Sequence, residues 1–528
     1  MTERQRVVVV TGGGGGIGAA IAETAGRTGA FVVTMDPLVS VDGTEPLPQT
    51  EATTAARIVA AGGSARASRV SVTDVSGVRE LFHELAAEFG GIDAVVNVAG
   101  ISRPTSYARG LDDDWLSVLS VHLDGYRNVL SAALPLMAAA GRGHVLGVTS
   151  GSGWRSADAG AYSCAKRAVA SLTWQLGRHA PAGVVINAIS PIAATRMVAA
   201  ALGQTSKTGG SATGGLSLGS MPTPEQLGPL GAHLVGGGFG ACRGRVLFAA
   251  GSEVAVIDEP RLLEVVRSDD VPSPAHLVEA ATTIALARAE SRQVSGGGSN
   301  ARFGSVFEQS ATDPLLGDAA RSCAVVADRS EVAAALSESL QARGVSSYRI
   351  NDPAALADLD APDAVVVALA GTPAAATEAD SGWKRILAEH DGVVDQILAD
   401  ARWTRAVAET ASSSDRPVRL VTITAATTAG GRSRAQASAQ LARAGREATG
   451  GLVLPFAVSA ESDDVPAVLT AHLLSSASAD GLVGAELVSG AGWFGLRSHP
   501  RPIGSINFGG PTVPSWFDDA LGEVVAPQ

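Results

Sequence analysis

Short hydrophobic runs alternate with longer amphipathic segments along the first 255 residues. Val7–Val10 is a β-branched run that is too short for a helix, and it predicts a buried parallel strand. A glycine-rich stretch follows it directly, a helical run begins at Ala19, and the next β-branched run is Phe31–Met35. Strands that alternate with helices in this way predict an α/β fold built on a parallel sheet.

The same pattern returns in the second half of the chain. Cys323–Ala327 corresponds to the first strand, and Asp363–Gly371 closely resembles Asp93–Gly100. This internal duplication has a period of about half the chain. The sequence therefore predicts two tandem Rossmann-like domains, each a doubly wound parallel sheet.

Composition marks the boundaries between these units. Ser295–Asn300 is a run of glycine and serine, which indicates a flexible break. The predicted organisation is a first domain over 1–258, a helical and flexible linker over 259–315, a second domain over 316–500 and a C-terminal tail over 501–528.

The glycine-rich stretch carries the first chemical signal. Glycines let the backbone turn sharply and let a pyrophosphate approach the N-terminus of the next helix, where free N–H groups favour anions. Strand, glycines and helix occur here in that order, which is the arrangement of a dinucleotide site. The predicted contacts at this turn come from Thr11, Gly12, Gly16, Ile17 and Gly18.

Asp36 ends the second predicted strand, 18 residues after Gly18. A carboxylate there accepts hydrogen bonds from the ribose hydroxyls and repels a 2′-phosphate. No arginine or lysine lies between Thr11 and Gly18 to bind that phosphate. We therefore expect NAD, with NADP disfavoured. The alternative is that Asp36 is only a turn residue before Pro37.

Tyr162 and Lys166 stand four residues apart, on one face of a predicted helix. An ammonium there would lower the pKa of a phenol that ordinarily titrates near ~10, which suits a general acid/base near neutral pH. The alternative is a chance pair on a solvated helix. The chain has four tyrosines, and with lysines only at 166, 207 and 384 it forms this spacing in the first half alone.

Taken together, these residues resemble the short-chain dehydrogenase/reductase family. The matching pieces run in order from about residue 5 to 255: Thr11–Gly18, Asn97–Gly100, Ser150, Tyr162–Lys166, Asn187–Pro191 and Thr195–Met197. Some details, such as Val121–Gly125 and Ser190–Met197, resemble the branch of (3R)-hydroxyacyl-CoA and hydroxysteroid dehydrogenases.

The resemblance implies roles for further residues. Ser150 would orient the substrate oxygen, with Ser152 as the alternative. His122 stands where most members have a catalytic asparagine. Ser71 replaces an aspartate near the adenine, where backbone contacts from Val72 would hold the ring. The remaining cofactor contacts implied by the resemblance are Asn97, Ala99, Gly100, Tyr162, Lys166, Pro191, Ile192 and Thr195.

The second half lacks this chemistry. Asp328 follows its first strand where a glycine loop would be, Ala425 and Ala426 stand in place of the serine, and Ala437–Leu441 in place of the tyrosine and lysine. We therefore expect a degenerate, nucleotide-free domain. Family members pair through the helices that flank the active site, so our hypothesis is an intrachain pseudo-dimer, with further homo-oligomers left open. The alternative is a passive solubility or linker domain.

Composition excludes several function classes. A net charge of −12 and a pI of about 5.3 argue against a nucleic-acid partner. Three cysteines fit a reducing cytoplasm, and scattered histidines and cysteines give no metal-ligand spacing. No run of 18 apolar residues and no basic leader is present, so we expect no membrane segment. Abundant alanine and arginine indicate a GC-rich bacterial genome.

The leading interpretation is an NAD-dependent oxidoreductase that interconverts a secondary alcohol and a ketone. The small-molecule substrates expected are a hydroxyacyl thioester, a steroid-like or polyketide alcohol, or a cyclic alcohol. Two alternatives are an NADPH-dependent biosynthetic ketoreductase, which Asp36 disfavours, and a non-catalytic NAD-sensing protein, which the full set of Ser150, Tyr162 and Lys166 disfavours.

Overall fold

Hydrophobic strands form the centre of the fold, and every residue of the first strand, Val7–Thr11, is buried. The computed structural model describes residues 4–48, 52–200, 219, 221–293, 319–357, 359, 361–371 and 382–526. The predicted break at 295–300 lies outside these residues. None of the helices in the described residues combines the length and apolar character that crossing a membrane requires.

The first half alternates strands and helices as its hydrophobic pattern predicts. Its strands are β1 (Val7–Thr11), β2 (Phe31–Met35), β3 (Ser64–Ser68), β4 (Ala94–Asn97), β5 (Gly143–Val148), β6 (Val184–Pro191), β7 (Val246–Ala250) and β8 (Glu253–Asp258). Its helices are α1 (Gly16–Arg27), α2 (Thr54–Ala60), α3 (Val75–Phe89), α4 (Asp112–Leu119), α5 (Gly125–Ala140), α6 (Gly160–His179) and α7 (Gly228–Leu234). One π-helical turn, Ser120–Asp124, joins α4 to α5.

The second half repeats the alternation of strands and helices. Its strands are β9 (Leu262–Arg267), β10 (Ser322–Ala327), β11 (Ser346–Arg349), β12 (Ala364–Ala368), β13 (Val418–Ala425), β14 (Val453–Ala460), β15 (Glu486–Gly490), β16 (Trp493–Arg497) and β17 (Arg501–Asn507). Its helices are α8 (Ala275–Ala281), α9 (Ala287–Ser291), α10 (Ser330–Gln341), α11 (Gly382–Glu389), α12 (Val393–Ser414), α13 (Ala429–Ala448), α14 (Ala467–Ser475) and α15 (Phe517–Val525).

These strands form two sheets, which confirms the predicted α/β fold with two parallel-dominated sheets. The first has the order β17-β8-β7-β6-β5-β4-β1-β2-β3, and the second has the order β11-β10-β12-β13-β14-β15-β16-β9. In each sheet the central strands are parallel, and the last two strands at one edge are antiparallel. The two orders correspond strand for strand, except that the described residues of the second sheet include no counterpart of β3.

The edge strands correct two of the predicted boundaries. The segment predicted as a linker over 259–315 contains β9, which pairs with β16 in the second sheet. The segment predicted as a tail over 501–528 contains β17, which pairs with β8 in the first sheet. The strand that directly follows the first domain, β9, is therefore the outermost strand of the second sheet, and the strand that follows the second domain, β17, is the outermost strand of the first. Ser498 donates its main-chain N–H to the carbonyl of Arg261 at 2.8 Å, where the two exchanged segments pass.

The helices that flank the two sheets pack on each other across the middle of the molecule. One continuous hydrophobic cluster includes Trp115 and Leu172 from the first half and Trp383 and Ile397 from the second. Burial of this apolar surface stabilises the contact between the halves. The faces that meet belong to α4, α5 and α6 on one side and to α11, α12 and α13 on the other.

Candidate active site

The glycine turn after β1 is built by close backbone contacts. Gly12 has a φ of +63°, and a Cβ placed on it would lie 2.8 Å from the amide nitrogen of Ala99. A Cβ on Gly18 would meet the carbonyl oxygen of Gly12. Only glycine fits these two positions, because one needs a left-handed backbone and the other needs contact between main chains.

The N-terminus of α1 at this turn is left without an internal anion. Gly15 at the N-cap offers no side-chain hydrogen bond, and the first turn contains no acidic residue. The free N–H groups and the helix dipole therefore favour an external anion such as a pyrophosphate. Thr195 and Arg196 reach the same turn, because a Cβ on Gly16 would lie 3.8 Å from Cγ2 of Thr195, and one on Gly15 would lie 3.4 Å from Nη2 of Arg196.

Asp36 is oriented by two backbone amides at the end of β2. Its Oδ2 accepts from the N–H of Gly14 at 2.8 Å, and its Oδ1 accepts from the N–H of Leu38 at 2.8 Å. The carboxylate therefore lies against the glycine turn, where the ribose of a dinucleotide would be held. The fit of these residues to a nicotinamide dinucleotide rests on this carboxylate, the close-packed glycines and the free helix terminus.

Other predicted cofactor residues line the same edge of the sheet. Asn97 is buried and accepts from the Thr11 hydroxyl at 2.9 Å, and that hydroxyl accepts from the amide of Ala99 at 3.1 Å. These bonds fix the turn that ends at Gly100. Ile192, which follows Pro191 at the end of β6, donates its N–H to Ala249 at 2.9 Å.

The wall predicted for the adenine is held by its neighbours. The hydroxyl of Ser71 lies 2.8 Å from that of Thr73, so it is used within its own turn. The carbonyl of Val72 accepts from the Asn128 amide at 3.0 Å, which ties this segment to α5. The roles of Ser71 and Val72 toward a nucleotide stay predictions.

Ser150, Tyr162 and Lys166 converge beyond the carboxyl end of β5. A side-chain hydrogen bond links Ser150 to the phenol of Tyr162. The Nζ of Lys166 lies 5.7 Å from the centre of the Tyr162 ring and donates to the carbonyl of Val148 at 2.7 Å. Ser152, the alternative serine, donates its hydroxyl to that of Ser150 at 3.1 Å, and Ser150 is the one of the two that hydrogen-bonds the phenol.

The protonation of this pair differs from the sequence expectation. Burial raises the pKa of Tyr162 above its ordinary value, and the groups that lower it are Ser150 and Arg155 rather than Lys166. Burial also lowers the pKa of Lys166 to about 7. Burial opposes the lowering of the phenol pKa that was expected from Lys166, because both groups are withdrawn from water and burial disfavours each charged form.

His122 lies beside the phenol on the π-helical turn. Its ring meets the Tyr162 ring edge to face, with 5.1 Å between centres. Its Nε2 donates to the carbonyl of Ile101 at 2.8 Å, which leaves Nδ1 as an acceptor without a partner among the described residues. Burial and the nearby Lys166 lower the pKa of His122, so this ring is neutral at neutral pH.

Two arginines near the site were missed by the sequence analysis. Arg155 acts electrostatically on Tyr162 and lowers its pKa, and Arg196 lies against the glycine turn. Arg196 is adjacent to the Thr195 motif, but sequence alone does not say where its side chain points. Arg155 lies in the loop after Ser150, and no spacing rule marked it. The described residues contain no grouping of three histidine, cysteine or acidic side chains suited to a metal ion.

Comparison with known proteins places these motifs in a family. The family model described as short chain dehydrogenase matches residues 6–205. The cis-4-hydroxycyclohexanecarboxylate dehydrogenase of Sinomonas cyclohexanicum is 33% identical over 256 residues, which are 48% of this chain and 98% of that protein. The short-chain reductase protein NovJ of Streptomyces niveus is 36% identical over 197 residues, which are 37% of this chain and 72% of that protein.

One solved structure extends over both halves. The crystal structure of the N-domain of bacterial malonyl-CoA reductase with NADP matches 90% of this chain and 94% of its own, with a TM-score of 0.60 and 16% identity. At this identity the likeness concerns the fold alone. It covers 90% of the chain, whereas the two curated relatives match 48% and 37% of it.

Proposed function

This chain belongs to the short-chain dehydrogenase/reductase family of oxidoreductases, and on that premise we propose that it interconverts a secondary alcohol and a ketone with NAD. The observation that carries the proposal is the convergence of Ser150, Tyr162 and Lys166 beside a glycine turn suited to a dinucleotide. A bound NAD would supply the nicotinamide that accepts or gives the hydride.

Tyr162 is the acid/base in this proposal. Its phenol takes the hydroxyl proton when the alcohol is oxidised, and it returns that proton when the ketone is reduced. Ser150, which hydrogen-bonds the phenol, orients the substrate oxygen within reach. Because burial raises the pKa of Tyr162, oxidation is expected to speed up as the pH rises into the alkaline range.

Lys166 and His122 are the two groups beside the phenol that can relay this proton. Lys166 is buried behind the phenol, anchored to Val148, and holds a positive charge that its lowered pKa makes removable. The Nδ1 of His122, which has no partner among the described residues, is a hydrogen-bond acceptor on a ring that meets the phenol edge to face. Together they give the proton of Tyr162 a route away from the substrate.

The preference for NAD is supported by Asp36. Its carboxylate is held against the glycine turn by the amides of Gly14 and Leu38. A 2′-phosphate placed there would face a fixed negative charge, whereas ribose hydroxyls would donate to it. The substrate class is supported by the relative from Sinomonas cyclohexanicum, whose name gives a hydroxycyclohexane carboxylate. A cyclic secondary alcohol is therefore the first class to test.

The experiment is turnover followed by nicotinamide absorbance, with NAD or NADP, across cyclic alcohols that include cis-4-hydroxycyclohexanecarboxylate, hydroxyacyl thioesters, steroid alcohols and polyketide alcohols. Tyr162→Phe should lower kcat by at least ~10²-fold, the usual contribution of a positioned acid/base. Tyr126→Phe is the matched control, because Tyr126 bonds Thr173 away from the proposed chemistry. Equal activity of Tyr162→Phe and wild type would refute the assignment. NAD binding without turnover on the whole panel would favour the sensing protein.

A further inference from the structure

Helices α6 and α13 lie antiparallel across the boundary between the two halves. Near the end of α6, Gln175 donates to the carbonyl of Ala429 and to the hydroxyl of Ser433, each at 3.2 Å, at the start of α13. Nearer the start of α6, Arg167 meets Gln436 and Gln440, farther along α13. The helix that carries the proposed acid/base is therefore packed along its length by the second domain.

A buried ion pair lies near the centre of this contact. Nη2 of Arg167, the residue next to Lys166, lies 2.6 Å from Oε2 of Glu486 at the start of β15, and the two side chains are 1% and 3% exposed. Gln436 accepts from Nε of Arg167 at 3.0 Å and donates to Glu486. A fully bonded charge pair of this kind fixes one relative position of the two surfaces.

Gln440 connects this network to the active-site loop. Its Oε1 accepts from Nη1 of Arg167 at 3.4 Å, which directs its Nε2 toward the first domain. Nε2 then donates to the carbonyl of Ser152 at 3.2 Å and to that of Arg155 at 2.9 Å. One turn farther along α13, Arg443 donates from Nε to the carbonyl of Trp154 at 3.1 Å. Three main-chain carbonyls of one short loop are therefore held by two side chains of the second domain.

Arg443 is supported in turn by the strand exchange. Its Nη1 lies 2.8 Å from Nε2 of His499, in the short connection between β16 and β17. Nε2 of His499 also lies 2.7 Å from Oε1 of Glu290 on α9. Arg443 is thus supported by His499, and His499 is supported in turn by Glu290.

The loop held in this way carries the groups nearest the proposed chemistry. Ser152 donates its hydroxyl to Ser150 at 3.1 Å, and Ser150 hydrogen-bonds Tyr162. Counting from the first residue of each helix, Tyr162 and Lys166 correspond to Gly431 and Ala435 of α13. We propose that the second domain is a built-in positioning partner, whose Gln440 and Arg443 hold residues 150–155 in place beside Tyr162. This proposal rests on the proposed function for its kinetic consequence.

The test compares two glutamines of α13 in the full-length protein. Gln440→Met removes the donor to Ser152 and Arg155, and Gln436→Met is the matched control, because Gln436 hydrogen-bonds the Arg167–Glu486 pair instead of the loop. Gln440→Met should lower kcat/KM by at least ~10-fold, since small displacements of a positioned group are costly. The pH at which oxidation reaches half its maximum should also rise, because the loop carries Ser150 and Arg155, which lower the pKa of Tyr162. The control should stay within about twofold of wild type.

A second readout does not need turnover. Hydrogen exchange of the peptide that contains residues 150–159 should be at least ~10-fold faster in Gln440→Met than in wild type or Gln436→Met. The affinity for NAD, followed by fluorescence titration, should be unchanged, because the glycine turn lies on a different part of the sheet edge. If Gln440→Met does not fold, Arg443→Met carries the same expectations through Trp154.

The outcomes separate this proposal from the proposed function. Unchanged exchange of the loop in both Gln440→Met and Arg443→Met would overturn the positioning role, even if the wild type oxidises alcohols. Equal loss of activity in Gln440→Met and Gln436→Met would also overturn it, because the effect would then belong to the interface in general. If the wild type turns over no alcohol but the loop still exchanges faster in Gln440→Met than in the wild type, the positioning role is supported and the proposed function is refuted.

Discussion

The buried pair of Arg167 and Glu486 predicts a measurable coupling between the two halves of the chain. The perturbations are Arg167→Met, Glu486→Leu and the double variant. With 2.6 Å between Nη2 and Oε2 and nearly complete burial, removal of one partner leaves the other charge without compensation, which costs about 3–5 kcal/mol. The double variant removes both charges, so its loss should be well below the sum of the two single losses.

The size of the coupling follows from the neighbouring glutamines. In the double variant Gln436 loses both of its partners and Gln440 loses Arg167, and each buried group left unsatisfied costs about 1–3 kcal/mol. The double variant is therefore expected to be destabilised by about as much as one single variant. The coupling energy between positions 167 and 486, which is the sum of the two single losses minus the loss in the double variant, is then about 3–5 kcal/mol.

The assay is urea unfolding followed by circular dichroism, with the midpoint and slope of each variant compared. Arg66→Met is the control for an exposed pair, because Arg66 and Glu88 are 40% and 50% exposed, and its cost should stay below about 1 kcal/mol. Single variants that unfold at the same urea concentration as Arg66→Met would refute the burial argued here. A double variant that loses the full sum of the single losses would refute the pairing.

Three further predictions concern the cofactor and the interface. Asp36→Asn should weaken NAD binding and raise NADP binding in fluorescence titrations, because the fixed carboxylate of Asp36 is removed. Arg196→Gln should raise the Kd for NAD at least ~3-fold, since its guanidinium lies at the glycine turn. Burial lowers the pKa of His390 to about 4. Because the unfolded chain protonates this histidine below ~6.5, the free energy of unfolding should fall by roughly 3 kcal/mol as the pH drops from there to about 4. In acid denaturation, His390→Gln should remove this loss of stability over that pH range.

The residues of the candidate active site could be predicted because their sequence signals are local. The glycine turn is a continuous stretch between β1 and α1, and Tyr162 and Lys166 are four residues apart on one helix. Such features need only helix periodicity and the order of strand and helix. The direction of the Tyr162 pKa could not be predicted in the same way. It depends on how deeply the phenol is buried, and burial is a property of the packed structure.

The contribution of the second domain could not be predicted from its sequence. The run Ala437–Leu441 was noted only for the tyrosine and lysine that it lacks. In the structure, Gln440 of that run reaches Ser152, which is 288 residues earlier in the chain. No periodicity connects two residues so far apart, because their contact is created by the packing of α6 on α13. Gln440 therefore lies in a run whose sequence shows only missing residues, whereas the structure shows it to be a loop contact.

The strand exchange shows why the predicted boundaries at 258 and 500 do not cleanly separate the two sheets. Only three residues separate β8 from β9, and three separate β16 from β17. No residue of either exchanged strand is fully buried, so their side chains do not specify which sheet they join. A chain that ended at 258 would leave β8 without its partner β17 and would also lose α15, whose Phe517 is buried in the core of the first domain. The two halves therefore complete each other twice, once at the sheet edges and once at the loop that follows Ser150.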